Sequence, residues 1–200
     1  MRYTIFNTPL IKTFLWALSI ILLKTFGWKT IGHLPASPKY LIIVAPHTSN
    51  WDLFYGIMLA FSLKLDAHFL AKKELFRWPF GPVIKWLGGI AIDRSSTANA
   101  VDRMITTFKK NKIFVLALAP EGTRYKVRYW KSGFYHIAVG AGVPIQIGFI
   151  DYASKTGGAG PLIHPSGDIT GDMEIIHDFY MKIKGKHSEQ TAPASIYTKS

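Results

Sequence analysis

The sequence of 200 residues contains no cysteine. This absence excludes disulfide bonds, a thiolate nucleophile and any metal site built on thiolates, and it fits a reducing compartment such as the cytosol. The H-E-x-x-H helix of zinc proteases and the G-x-S-x-G turn of serine hydrolases are also missing. Because no cluster of histidines and carboxylates has ligand spacing, we expect no bound metal.

Acidic residues are scarce, with 12 Asp and Glu against 24 Lys and Arg, which gives a formal charge of +12. So basic a chain attracts nucleic acid, anionic lipid headgroups or phosphorylated substrates. No zinc-finger, RNP or basic-heptad pattern is present, so we expect no nucleic acid as a partner. The cations alternate with large apolar side chains in residues 72–80 and 85–87. That mixture predicts an anionic membrane surface as a partner.

Long hydrophobic runs are missing as well. Lys12 and Lys24 enclose only eleven uncharged residues, 13–23, whereas a membrane span needs about 20. We therefore expect residues 1–30 to form an apolar, membrane-associated helical segment. Three alternatives stay open: a spanning helix whose lysines snorkel to the interface, a signal peptide that follows Arg2, and a buried helix that packs on the domain.

The remaining sequence alternates short apolar runs with helical patterns. This alternation predicts an α/β fold, a single domain with a mixed, mostly parallel central sheet flanked by helices. We assign residues 31–185 to this domain and the polar residues 186–200 to a disordered tail. Strands are predicted at 40–44, 67–71, 90–92, 113–118 and 143–150, helices at 50–63, 76–89, 99–110, 134–140 and 172–184, and a Gly-rich hairpin turn at 151–161.

His47 and Asp52 come just after the first predicted strand. The carboxyl ends of strands are where open α/β sheets bind ligands. If Ser49 caps the following helix, Asp52 lies in its first turn and can bend back to the imidazole. A carboxylate that holds one ring nitrogen leaves the other free to act as a general base. The alternative is a simple capping box, Ser49-x-x-Asp52, beside a loop histidine without a chemical role.

A second polar group, Glu121 to Arg124, follows the fourth predicted strand. Gly122 lets backbone approach a ligand closely, Thr123 offers a hydroxyl, and Arg124 offers a guanidinium. Two roles stay open for Glu121. Its carboxylate could bond the hydroxyls of an acceptor, or it could fix Arg124 through an ion pair.

Arg94 follows the third predicted strand, so we expect it at the same edge of the sheet as Arg124. The planar guanidinium binds phosphate oxygens in a bidentate manner. Two arginines that converge on one edge therefore predict a phosphate site. The alternative for Arg94 is a surface ion pair with Asp93.

Four sequence blocks, taken together and in this order, resemble the glycerolipid acyltransferase family, which includes the 1-acylglycerol-3-phosphate (lysophosphatidate) acyltransferases. The resemblance runs from about residue 43 to 150, more than half of the chain. The blocks are 47–52, similar to H-x4-D; Gly88 with 92–94, similar to G-x-x-F-I-D-R; 119–124, similar to F-P-E-G-T-R; and 142–145, similar to the V-P-I block.

The resemblance implies an O-acyltransferase that moves a fatty acyl group from a thioester donor to a hydroxyl of a lysophospholipid such as 1-acylglycerol-3-phosphate. The donor would be acyl-CoA or acyl-carrier protein, with no further cofactor, and the enzyme would work at the cytoplasmic face of the inner or plasma membrane. His47, Asp52 and Lys72 would be catalytic, although Lys72 could equally snorkel at the interface. Substrate binding would fall to Arg94, Glu121, Gly122, Thr123 and Arg124.

Several positions beside these blocks depart from the family pattern. Pro46 stands where Asn is frequent, Ala91 and Ala119 stand where Phe is usual, and Tyr125 replaces a frequent Ser. These changes leave open another lysolipid or another hydroxyl acceptor. Two different functions also stay open: a protein that binds anionic membranes without catalysis, and a metal-dependent hydrolase.

Overall fold

Seven strands form the centre of the structure, a computed structural model that describes residues 4–92 and 97–196. The strands are β1 (Lys29–Ile31), β2 (Lys39–Ala45), β3 (His68–Lys72), β4 (Gly89–Ile92), β5 (Phe114–Leu118), β6 (Ile145–Asp151) and β7 (Thr156–Ile163). They are ordered β1-β7-β6-β2-β5-β3-β4, and every neighbouring pair is parallel except β6 with β7. The predicted α/β fold with a mixed, mostly parallel sheet is confirmed.

Helices cover both faces of the sheet. The first face carries α1 (Ile11–Thr25) and α2 (Trp51–Ser62), and the second carries α4 (Thr97–Lys110), α5 (Gly133–Ala141) and α6 (Ile169–Tyr180). The short α3 (Gly81–Trp86) is joined to the N-terminal segment by a hydrogen bond from the Ile5 N–H to the Trp86 carbonyl, 2.7 Å. Two 3-10 turns occupy Lys73–Phe76 and Ser188–Gln190.

Strand β2 is buried on both sides, which fixes the position of the loop that follows it. Successive residues of a strand point to opposite faces. Leu41 and Ile43 accordingly pack in the core with α4, α5 and α6, whereas Tyr40 and Ile42 pack in a second core on the other face. Burial of a large apolar side chain stabilises the fold by about 1.5–3 kcal/mol. The carboxyl end of β2 is thus held firmly between β5 and β6.

The Gly-rich stretch 151–161 contains most of β7, so the predicted turn is wrong there. A Cβ on Gly158, whose φ is 144°, would clash with the carbonyl oxygen of Ile31 in β1. A Cβ on Gly157 would clash with Leu59 of α2. These glycines therefore allow β1 and α2 to pack closely on β7, and they do not mark a loop.

Residues 186–196 pack on the domain, in contrast to the disordered tail expected from their polar composition. The Trp130 N–H donates to the Ser195 carbonyl, 2.7 Å, and Trp130 forms a parallel bridge with Ile196. Ala192 and Ala194 are buried. Small apolar side chains and backbone hydrogen bonds thus fix a segment that lacks a hydrophobic run. Residues 197–200 lie outside the described residues.

The N-terminal helix α1 has two different sides. Ser19 and Leu23 are buried, and Leu23 packs with residues of α2, whereas Phe14 and Ile21 are exposed. Residues 29 and 30, predicted to be helical, belong to β1. Within residues 4–92 and 97–196 no helix has the length and apolar character that crossing a bilayer requires. The helix therefore packs on the domain and also presents an apolar outer surface.

Candidate active site

Three neighbouring strands deliver polar residues to one edge of the sheet. His47 follows β2, Glu121 follows β5, and Tyr152 follows β6 directly. Because β5 and β6 pair with β2 in parallel, the carboxyl ends of all three strands meet at this edge. The sequence predicted two of these residues at one edge, and the structure adds Tyr152.

The predicted contact between His47 and Asp52 is present. The His47 Nδ1 atom lies 3.1 Å from Asp52 Oδ2. Helix α2 begins at Trp51, so Asp52 lies in the first turn and its carboxylate points back along the chain. The N-cap is Asn50, one residue later than predicted, and the Ser49 hydroxyl accepts the Trp51 N–H at 3.2 Å.

Asp52 gathers three further donors. The backbone N–H groups of Thr48 and Ser49 both donate to Oδ2 at 2.8 Å, and the Tyr152 hydroxyl donates to Oδ1 at 2.7 Å. Burial by itself would raise the pKa of this carboxyl, which is only 6% exposed, but the hydrogen bonds from His47, Tyr152 and Ser49 outweigh burial and lower the pKa below its usual value. Asp52 is therefore ionised at neutral pH.

The Asp52 carboxylate thus makes both of the contacts that the sequence offered as alternatives, the one with His47 and the one with the start of the helix. The Ser49 N–H bond is half of a capping box, and the same oxygen meets the imidazole. Because the ionised carboxylate accepts at Nδ1, the ring proton resides there and Nε2 keeps its lone pair. The His47 side chain is 25% exposed, and within the described residues no group hydrogen-bonds to Nε2. A substrate hydroxyl can reach this nitrogen.

Glu121 contacts the His47 loop and not Arg124. Its Oε2 atom accepts the backbone N–H of His47 at 2.7 Å, and no ion pair joins Glu121 to Arg124 in the part of the chain that the structure describes. The carboxyl is 3% exposed, and its Oε1 atom is buried without a partner there. Burial raises the pKa of Glu121 to about 7, and the hydrogen bond from His47 only partly opposes this.

The residues that follow Glu121 belong to the same loop at the carboxyl end of β5. Gly122 has φ 67°, a left-handed conformation that favours glycine, and the Lys131 side chain lies over it. Thr123 Oγ1 accepts the Tyr125 N–H at 3.3 Å. Arg124 is exposed, and no described residue forms an ion pair with it.

A further predicted site residue, Lys72, lies apart from this centre. Lys72 is the last residue of β3 and is exposed. Because β5 separates β3 from β2, Lys72 is displaced from the end of β2 by two strand spacings, about 10 Å. Arg94 lies outside the described residues, and with it the predicted convergence of two arginines.

A family model described as Acyltransferase matches residues 29–147, which include the loops of His47 and Glu121. The chain belongs to the Acyltransferase family. The resemblance carried by the four sequence blocks is therefore confirmed.

Relatives of this Acyltransferase member include several proteins named 1-acyl-sn-glycerol-3-phosphate acyltransferase. The protein from Salmonella typhimurium is 33% identical over 130 residues, which are 60% of the chain and 51% of that protein. The Escherichia coli protein is 32% identical over 111 residues, 52% of the chain and 44% of that protein. The Streptococcus pneumoniae protein is 33% identical over 131 residues, which are 62% of the chain and 48% of that protein. The chain spans about half the length of the curated relatives it matches.

A solved structure supports the fold of this Acyltransferase member. The crystal structure of the 1-acyl-sn-glycerophosphate (LPA) acyltransferase PlsC from Thermotoga maritima superposes with a TM-score of 0.61 at 19% identity. The match covers 86% of the chain and 79% of that protein. The helices and strands that position His47 thus belong to a known architecture.

The protonation of Glu121 predicts a pH-dependent stability. The folded carboxyl keeps its proton until about pH 7, whereas the unfolded one loses it near 4.5. A carboxyl whose pKa is higher in the folded than in the unfolded protein stabilises the fold fully at pH values below its unfolded pKa. This stabilisation is lost as the pH rises through its folded pKa. Relative to Glu121→Gln, a neutral isostere, we expect wild type to lose ~3 kcal/mol of unfolding free energy between about pH 5 and pH 8.

Urea unfolding of both proteins at the two pH values measures this difference. Asp52 and His47, the titratable neighbours of Glu121, are present in both proteins, so the comparison isolates the change at residue 121. An equal difference between wild type and Glu121→Gln at both pH values would contradict the raised pKa.

Proposed function

We propose that this protein transfers a fatty acyl group from a thioester donor to the hydroxyl of a lysophospholipid of the 1-acylglycerol-3-phosphate type, with His47 as the general base. The observation that carries the proposal is the contact of His47 Nδ1 with a buried, ionised Asp52, which leaves Nε2 as a base at the sheet edge. Relatives about one third identical are named for this acyl transfer. Acyl-CoA and acyl-carrier protein are both candidate donors.

The proposed reaction needs no acyl-enzyme. The acceptor hydroxyl oxygen attacks the thioester carbonyl carbon while its proton passes to Nε2 of His47, and a carbon–oxygen bond forms. The tetrahedral intermediate then collapses, the carbon–sulfur bond breaks, and the leaving thiolate takes the proton from Nε2. A general base of this kind contributes about 10²–10⁴-fold to the rate. The lack of cysteine agrees with direct transfer.

Two cations near Glu121, Arg124 and Lys131, are the proposed partners of the acceptor phosphate. Arg124 is exposed on the loop that begins with Glu121, and Lys131 lies over Gly122 of the same loop. Exposed cations without a carboxylate partner are available to phosphate oxygens. Lys72, at the end of β3, is a proposed donor to the oxyanion of the intermediate, and its side chain would have to extend across the end of β5 to reach it.

The proposed docking partner is an anionic membrane. Trp78 is 87% exposed and Phe80 is 69% exposed, and an apolar cavity of about 360 Å³ lies between these two residues and α3. The exposed cations Lys73 and Arg77 adjoin them in the chain. Aromatic rings among cations suit a headgroup boundary, where the rings reach the acyl region and the cations meet phosphates. Val83, which lines the same cavity, is also exposed, and a separate set of exposed rings is formed by Phe54 with Phe26 and Trp51, at ring-centre distances of 6.4 and 5.7 Å.

The base assignment predicts the effect of His47→Ala. Acyl transfer from acyl-CoA and from acyl-carrier protein to 1-acylglycerol-3-phosphate should fall by about 10²–10⁴-fold, because no other group takes the hydroxyl proton. Turnover is measured with purified protein and radiolabelled donor. His164→Ala is the matched control, since His164 is exposed just after β7, whose carboxyl end lies at the opposite edge of the sheet. Equal turnover by His47→Ala and His164→Ala would refute the assignment.

The docking surface predicts the effect of Trp78→Ser combined with Phe80→Ser. Loss of two exposed aromatic rings should weaken partition onto vesicles of phosphatidylcholine and phosphatidylglycerol by about 100-fold, since each ring contributes roughly 1.5 kcal/mol on burial. Co-sedimentation measures the partition. Ile113→Ser with Ile175→Ser is the control, because both side chains are exposed outside this surface. If the two double variants bind alike, membrane docking does not use Trp78 and Phe80.

A further inference from the structure

A short segment near the C-terminus, residues 184–187, crosses over the loop that carries His47. We propose that it is a positioning element, which holds the Asp52 carboxylate in place from two sides and so aims the His47 imidazole. Its kinetic consequences rest on the proposed function, whereas its structural consequence does not. The segment lies outside the residues that the family model matches, 29–147.

The first contact of the segment reaches Tyr152. The Tyr152 N–H donates to the Lys184 carbonyl at 2.9 Å, and the Lys184 N–H donates to Asp151 Oδ1 at 3.1 Å. This pair of hydrogen bonds fixes the backbone of Tyr152 just after β6. The Tyr152 hydroxyl in turn donates to Asp52 Oδ1 at 2.7 Å. Movement of residue 184 would therefore move a donor of the carboxylate.

The second contact reaches Thr48, on the other side of the same carboxylate. The His187 N–H donates to Thr48 Oγ1 at 3.2 Å, and the Thr48 N–H donates to Asp52 Oδ2 at 2.8 Å. Gly185 is buried against this loop. A Cβ at Gly185 would lie 2.8 Å from Thr48 Oγ1 and 3.2 Å from Pro46 Cγ, so only glycine fits without displacement.

The two contacts converge because Thr48 and Tyr152 bond different oxygens of one carboxylate. Residues 184–187 join them through four consecutive positions, although Thr48 and Tyr152 are distant in the sequence. A third contact also joins the segment to the helix that carries Asp52: Lys186 Nζ lies 4.8 Å from the ring centre of Trp51 at the start of α2. A segment with these contacts restricts the rotation of Asp52, and through Asp52 the orientation of His47.

Gly185→Ala tests the proposal, because the added methyl group displaces Thr48 and Pro46. We expect kcat for acyl transfer to fall by about 10- to 100-fold, because a small displacement of a catalytic group slows the chemical step. The acceptor KM should be nearly unchanged, since substrate binding is not affected. The second readout needs no substrate. In wild type the His47 Nδ1–H proton should give a protected downfield NMR signal, identified by its loss in His47→Ala, and Gly185→Ala should broaden or remove it.

Gly140→Ala is the matched control. A Cβ there would lie 2.5 Å from Ile105 Cδ1, at least as close as one at Gly185 would lie to Thr48, but Gly140 is in the last turn of α5, which ends near the amino end of β6 at the opposite edge of the sheet. Because the added methyl group meets the end of the Ile105 side chain, far from the site, this variant should keep both kcat and the NMR signal. Thr48→Val, which removes the acceptor of the His187 N–H with little change of shape, should shift both readouts in the direction of Gly185→Ala, by less.

The outcomes separate this proposal from the proposed function. If Gly185→Ala and Thr48→Val both fold and keep the wild-type signal and kcat, the positioning role is overturned. If Gly185→Ala loses the signal while Gly140→Ala retains it, positioning is supported, even if wild type transfers no acyl group. Equal losses of signal in Gly185→Ala and Gly140→Ala would overturn it as a general loss of packing.

Discussion

The site depends on one buried negative charge, the Asp52 carboxylate. Moving a carboxylate out of water costs several kcal/mol, so it persists only where donors replace its hydration. Asp52 has four: His47 Nδ1–H, the Thr48 and Ser49 N–H groups, and the Tyr152 hydroxyl. Three of them come from the loop between β2 and α2, and the fourth comes from β6. The parallel pairing of β2 with β6 is therefore what completes the site.

A second acid, Glu121 on the loop that follows β5, has the opposite protonation behaviour. Glu121 receives one hydrogen bond, from the His47 N–H, and its other oxygen is buried without a partner in the described residues. Burial therefore raises the pKa of Glu121, whereas the donors around Asp52 lower that of Asp52. The two carboxyls have different roles. The charged Asp52 orients the imidazole ring of His47, and Glu121 accepts the backbone N–H of His47 and so fixes the position of the loop. This anchoring replaces the ion pair with Arg124 that the sequence left open.

Local features of the site were predictable, and long-range ones were not. The spacing of His47 and Asp52 after an apolar run allowed their contact to be predicted, with a capping box as the alternative, and the four sequence blocks together favoured the contact. Tyr152 also follows a predicted strand, but its role depends on β6 lying next to β2, which no local pattern reveals. Residues 184–187 were assigned to the domain's end and a polar tail, because hydrogen bonds to backbone leave no hydrophobic signature. The glycines of β7 were misassigned for a similar reason, since close packing and loops both require glycine.

The most direct test is the acyl-transfer rate of Asp52→Asn, on protein whose fold is checked by circular dichroism. The amide keeps the size of the carboxylate, but it has no charge and no longer fixes the proton on Nδ1 of His47. The account predicts a fall in kcat of about 10²–10⁴-fold, up to the whole contribution of the base, because the histidine loses its orienting carboxylate, with little change in acceptor KM. A folded Asp52→Asn protein that turns over at the wild-type rate would contradict it.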